Sequence, residues 1–108
     1  MRLLYHPDKK DISLAGVLYA LGDPVRLEIV KQLAKKGELS CVALAMPVAK
    51  STLSHHFKVL RESGVLYCRK EGTQHMNSLR REDLDDRFPG LLDTVLQAAF
   101  CSPADQAL

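Results

Sequence analysis

A mainly α fold of the α+β class, formed as a single domain, is predicted by three observations. Apolar residues recur at helical spacing in several short blocks, and glycine and proline separate the blocks. Residues Lys50 to Arg61 form a two-faced block that follows a turn at Met46-Pro47-Val48 and ends at Gly64. Behind it, Val65 to Lys70 is β-branched and aromatic in character, and Glu71-Gly72-Thr73 turns the chain back on itself. A short helix, a turn, an amphipathic helix and a basic hairpin together describe a winged helix-turn-helix domain.

The size fits one such domain. A compact chain of 108 residues buries roughly two thirds of its unfolded surface. Hydrophobic residues make up 46% and charged residues 26%, a globular balance rather than a disordered one. No apolar run is long enough to cross a bilayer, and the N-terminus has no signal-peptide pattern. A cytoplasmic chain with no membrane partner is therefore expected. Neither a repeat nor a linker divides residues 1–108.

Each element has a local cause. Residues 1–10 are mixed and polar and read as an irregular N-terminal arm. From Asp11 to Leu21, the residues Leu14, Val17, Leu18 and Leu21 keep helical spacing. Gly22-Asp23-Pro24 breaks that helix, and Asp23 as N-cap with Pro24 as first helical residue starts another. It runs through Leu27, Val30 and Leu33 to Lys35-Lys36-Gly37, where cations and a glycine mark a C-terminus. A short apolar helix is expected over Ser40–Ala45, so that residues 40–62 form the helix-turn-helix. The amphipathic helix closes at Ser63-Gly64, and residues 65–80 form a two-stranded wing with Gln74 to Leu79 returning antiparallel. Arg81 to Phe88 resumes helix, Pro89-Gly90 interrupts it, and a last helix spans 91–100.

The helices at 11–21 and 91–100 look too apolar to stay exposed. Packed across a two-fold axis, Leu14, Val17, Leu18, Leu91, Leu92, Val95 and Leu96 would form a homodimer interface, and such a dimer suits palindromic DNA.

Charge narrows the choice of partner. Net charge is only +2, yet residues 50–81 hold Lys50, Lys58, Arg61, Arg69, Lys70, Arg80 and Arg81 against Glu62 and Glu71. A polyanion responds to such local concentration more than to the total. Within the two-faced block, Leu53, Phe57 and Leu60 form an apolar stripe at i, i+4 and i+7. Lys50, Ser51, Thr52, Ser54, His55, Lys58 and Arg61 fall largely outside it, with no carboxylate before Glu62. A solvated face usually mixes both signs of charge. Small donors and cations suit a DNA major groove, where bases offer acceptors and phosphates lie alongside. His56, next to the stripe, has two readings: a packed histidine or a DNA contact.

Two stretches carry a family resemblance. Ala20-Leu-Gly-Asp-Pro-Val-Arg-Leu-Glu-Ile-Val30, followed by Lys50-Ser-Thr-Leu-Ser-His-His-Phe-Lys-Val-Leu-Arg-Glu-Ser-Gly-Val65, is similar to the ArsR (arsenic-repressor-like) winged-helix regulators, over roughly residues 12–98. The resemblance implies a homodimeric bacterial repressor that binds a double-stranded operator and leaves it when an inducer arrives. Carried onto this chain, it brings Lys50, Ser51, Thr52, Ser54 and His55 to base edges and phosphates, and Lys58 and Arg61 to the backbone. The wing would offer Arg69, Lys70, Thr73 and Gln74 to the flanking minor groove or its phosphates. It names neither operator nor inducer.

Many relatives sense metals, through a Cys-x-Cys pair just upstream of the DNA-reading helix. In the matching run, Glu38-Leu39-Ser40-Cys41-Val42-Ala43-Leu44, the two ligand positions hold Ser40 and Val42. On a helix the lone Cys41 would sit about 100° away from either position. A second family site uses Asp-x-His and a later His with a His or Glu on the C-terminal helices; Leu91 to Phe100 has Asp93 but no histidine. Cys68 facing His75 across the wing would give two ligands, short of the usual four. No metal and no cofactor are expected.

The inducer could instead act on thiols. Cys41, Cys68 and Cys101 are too few and too scattered for a disulfide framework, so reduced thiols are expected. Oxidation of any of them is the runner-up account of release, with Arg69 and Lys70 lowering the pKa of Cys68. The plainer reading is three small hydrophobes. A nucleophilic pair of Cys41 with His55 or His56 lacks an oxyanion-forming loop, so no enzyme is expected. A winged helix serving as a protein-interaction module would need apolar anchors where this face has hydroxyls and cations.

Overall fold

The computed structural model describes residues 4–44 and 46–101. In chain order the elements are a 3-10 turn at Lys9–Asp11, α1 (Leu14–Leu21), α2 (Pro24–Lys36), β1 (Glu38–Ser40), α3 (Lys50–Glu62), β2 (Leu66–Glu71), β3 (Gln74–Leu79), α4 (Arg81–Arg87) and α5 (Leu91–Phe100). Helices dominate, and the antiparallel sheet has the order β1-β3-β2.

Helix starts follow their caps. The Ser13 hydroxyl accepts from the Gly16 amide, so α1 begins at Leu14 rather than at Asp11. Asp23 accepts from the amides of Val25 and Arg26 with Pro24 in the first turn, which starts α2 where its residues require. At the far end of α3, the Gly64 amide donates to Arg61 O and the Val65 amide to Leu60 O. This double closure needs a left-handed residue at Gly64, whose φ is +90°. A Cβ there would lie 2.5 Å from Ile12 Cγ1, so the same glycine lets the N-terminal segment pack against the end of α3.

The wing differs from expectation by one strand. Glu38, Leu39 and Ser40 pair with Ser78, Asn77 and Met76, making the sheet three-stranded. The Cys41 amide extends that ladder to His75 O. Ser40 thus ends a strand instead of opening the short helix expected over Ser40–Ala45. Residues 41–44 make a single turn, with the Leu44 amide on Ser40 O, and Ala45 lies outside the described residues.

One core joins the helices to the sheet: Ile29, Val30 and Leu33 of α2 meet Leu60 of α3 and Leu66 of β2, all essentially sealed from water. Three residues assigned to the dimer surface belong to this core instead. Val17, Leu92 and Leu96 are buried within the single chain. Their helical spacing marks an apolar stripe equally well for either burial, and here the chain covers it itself. Leu14 and Leu18 remain exposed on α1, and Leu91 and Val95 half-buried on α5.

Candidate nucleic-acid interface

α3 is held by one side and presents the other. His56, Phe57 and Leu60 are buried, while Lys50, Ser51, Thr52, Ser54, His55 and Lys58 are exposed. Among the described residues no acidic group pairs with Lys50 or Lys58. No side chain caps the N-terminus at Ala49, and the first turn has no carboxylate. The helix's positive end and its free amides therefore stay available to an anion such as phosphate.

The two readings of His56 resolve toward the core. Arg26 Nη1 lies 3.1 Å from its Nδ1, and Asp23 Oδ2 lies 3.8 Å from the same nitrogen. His55, one residue earlier, turns outward. Helical spacing puts His55 on the outer face and His56 beside the stripe, and Arg26 of α2 supplies the partner that fixes His56 inward.

The remaining cations of the basic stretch divide into free and engaged. Lys70, Thr73 and Gln74 are exposed at the wing tip, beside the tight turn at Gly72. Arg69, expected among the DNA contacts, is tied to both Glu71 and Glu38, whose carboxylates push its pKa up. The Glu38 partnership was invisible without β1, which brings that carboxylate alongside. Arg80 pairs with Asp83 and donates to Pro7 O at 2.8 Å, and Arg81 pairs with Asp93. Arg61 keeps its charge but donates from Nε to Tyr5 O at 3.2 Å. Among the described residues, the cations of the stretch without a carboxylate partner are thus Lys50, Lys58, Lys70 and the Tyr5-bound Arg61.

Sequence reasoning missed the N-terminal arm as a structural part. Tyr5 and Pro7 receive those arginines, while His6 Nε2 accepts the Cys68 amide at 3.0 Å and its ring lies 4.9 Å from that of Tyr67. The arm thereby covers the outer edge of β2. Burial, reinforced by Arg61 and Arg80, lowers the pKa of His6.

All three cysteines are free thiols. Burial raises the pKa of Cys68, against the lowering expected from Arg69 and Lys70. Arg69 is already engaged with carboxylates, so desolvation prevails. Cys68 sits opposite Asn77 and His75 opposite Lys70, so the two do not face each other as a register pair. Cys41 is half-buried, with Sγ 3.3 Å from Asn77 Nδ2, and Cys101 is exposed. Among the described residues no group of three or more His, Cys, Asp or Glu is placed to hold a metal ion.

Comparison with known proteins points the same way as the geometry. A family model described as a helix-turn-helix domain matches residues 21–69. The HTH-type transcriptional regulator YceK of Bacillus subtilis is 39% identical over 84 residues, spanning 75% of this chain and 84% of the relative. The arsenical resistance operon repressor of Staphylococcus xylosus is 40% identical over 93 residues, 82% of this chain and 88% of the relative. Among solved structures, the transcriptional repressor BigR from Xylella fastidiosa superposes with a TM-score of 0.62 at 32% identity, covering 82% of this chain and 87% of that one. With an exposed cationic helix face on a matching frame, the chain belongs to the ArsR family of winged-helix, DNA-binding transcriptional regulators.

Proposed function

We propose that the protein is a homodimeric, cytoplasmic repressor that holds a palindromic operator through α3 and the wing tip and releases it to an inducer. One observation carries this reading: the outer face of α3 presents Lys50, Ser51, Thr52, Ser54, His55 and Lys58 to solvent with no carboxylate among them. Hydroxyls, an imidazole and ammonium groups can donate to base-edge acceptors and phosphates at once. The dimer is supported by Leu14, Leu18 and Tyr19, which stand exposed on α1, together with half-buried Leu91 and Val95 on α5. Two copies of a C2 dimer would present two α3 helices to successive major-groove segments.

The chain acts by binding rather than by catalysis. What supports this is that His56 Nδ1 is engaged by Arg26 and Cys41 Sγ by Asn77, while His55 faces outward on α3. A gel shift of labelled genomic fragments tests the main reading. A discrete complex that survives excess random DNA is expected, and binding that random DNA abolishes would contradict it.

A second reading of release, by thiol oxidation, is favoured by the position of Cys41. It is half-buried and lines a cleft of about 330 Å³ whose far wall includes Lys50, Leu53, Ser54 and Phe57 of α3. Modification there would press on the DNA-reading helix. Hydrogen peroxide, which turns a single thiol into a sulfenic acid and is itself reduced to water, should then dissociate the wild-type complex and leave the Cys41→Ser complex intact; equal sensitivity of both rejects Cys41 as sensor.

A further inference from the structure

We propose that Arg26 and His56 form a strut that fixes the rotation of α3 against α1 and α2, which makes both of them positioning residues for DNA reading. The inference rests on α3 being the DNA-reading helix. Arg26 lies in the first turn of α2 and is only 6% exposed. A buried guanidinium needs its donors met, and all three nitrogens are. Nε donates to Ala20 O at 2.7 Å, Nη2 to Tyr19 O at 3.3 Å, and Nη1 meets His56 Nδ1 at 3.1 Å. Both carbonyls end α1: Ala20 O has no helical amide following it, and Tyr19 O takes the Gly22 amide as well. One side chain of α2 therefore closes the end of α1 and grips the middle of α3.

The chemistry settles the imidazole's role. A guanidinium can only donate, so in this bond His56 Nδ1 is the acceptor and the ring proton belongs on Nε2. Asp23 Oδ2, already holding the Val25 and Arg26 amides, stands 3.8 Å from Nδ1 and offsets the arginine's charge. The ring of Tyr19 covers the guanidinium at 5.2 Å.

The strut supplies something that packing does not. Phe57 and Leu60 hold α3 at its depth, but apolar burial has no direction and tolerates rolling of the helix. A charge-assisted hydrogen bond has a preferred line, so it fixes the roll. His55 follows directly from that, because its outward bearing is set by its neighbour's inward one. Tyr19, 66% exposed beside Leu18, also places the strut's α1 end at the apolar face proposed for dimerisation. A shift of that face would be felt at α3 through the same guanidinium.

The test compares wild type with His56→Leu, His56→Asn and Arg26→Lys. Affinity is measured on a fragment the protein selects from a random pool and on random DNA, with circular dichroism and melting recorded for each variant. His56→Leu removes the acceptor; His56→Asn puts Oδ1 where Nδ1 stood; Arg26→Lys keeps the charge but cannot fork to three acceptors. In folded His56→Leu and Arg26→Lys proteins, affinity for the selected fragment should fall about tenfold or more, the scale of one or two lost base contacts, with random-DNA affinity unchanged. His56→Asn should recover most of the loss. Imidazole nitrogen shifts should report the Nε2–H tautomer in wild type and a changed Nδ1 signal in Arg26→Lys. Unchanged preference, or equal losses on both DNAs, in a folded Arg26→Lys protein overturns the strut. If His56→Leu does not fold, failure of folded His56→Asn to keep the preference overturns it as well. Lys50→Ala serves as the separate control: no effect on either DNA would refute the reading of α3 itself.

Discussion

Two exposed helix faces of this chain make opposite demands on their surroundings. On α3, Lys50, Ser51, Thr52, Ser54, His55 and Lys58 are polar and well hydrated. On α1, Leu14, Leu18 and Tyr19 are 47%, 49% and 66% exposed, and two of the three are purely apolar. Exposed apolar area costs roughly 25 cal/mol per Å², a penalty that lasts until another surface covers it. The α3 face has no such penalty and can exchange between water and a polyanion. One surface is suited to reversible contact with a polyanion and the other to lasting cover, which is the combination the proposed dimeric repressor would need.

Salt should separate the two faces most sharply. If a dimer makes about 6–10 phosphate contacts, DNA affinity falls by roughly 10³–10⁵ between 50 and 200 mM salt. Dimer dissociation, followed by sedimentation over the same range, should barely move. A salt response of equal size in both would show that the α1 face is not apolar cover.

Next in size is the seat of α3. Gly64→Ala combines a left-handed backbone with a Cβ driven into Ile12, and should destabilise the fold by about 2–5 kcal/mol in urea unfolding. A loss below 1 kcal/mol would mean that the N-terminal segment yields easily there.

Leu18→Glu probes the other face. Because Leu18 is exposed, the chain should fold normally, while dimerisation weakens by about 1.5–3 kcal/mol for the lost apolar burial. A dimer of unaltered strength would move the interface away from α1.

The smallest effect concerns the arm. Burial lowers the pKa of His6 from its ordinary 6.5, so the unfolded chain holds the proton more tightly than the folded one. His6 therefore supports the fold fully above pH 6.5, and that support is lost as pH falls toward the lowered folded value. Urea midpoints from about pH 8 to pH 5 should decline less in His6→Gln than in wild type. Parallel declines would show that the imidazole's bond to the Cys68 amide contributes nothing to the pH response.

Much of this arrangement is legible in local sequence. Asp23-Pro24, Gly37 and Ser63-Gly64 mark their helix ends because the capping chemistry sits within a few residues of the boundary. The outer face of α3 is legible for the same reason, since a helical period fixes which side chains share a side. What escapes is decided at long range. Glu38-Leu39-Ser40 is too short to show a strand period, and its pairing with Ser78, Asn77 and Met76 depends on the wing folding back. Without that strand, neither Glu38 beside Arg69 nor the loss of the expected short helix is visible. Val17, Leu92 and Leu96 have the spacing of a dimer stripe and of a core stripe alike, and only the packing of α1 against α2 and α3, and of α5 against α2 and α4, distinguishes them. Arg26 gives no local sign of burial, because its partners lie on α1 and α3.

The central claim is that the outer face of α3 reads DNA while the wing tip only holds it. Fluorescence anisotropy of Lys50→Ala, His55→Ala and Lys70→Ala, on the selected fragment and on random DNA, tests this most directly. Lys50→Ala and His55→Ala should lose preference for the selected fragment by a factor worth about 1–3 kcal/mol, whereas Lys70→Ala should weaken both DNAs alike. Losses of equal size on both DNAs for all three variants would contradict it.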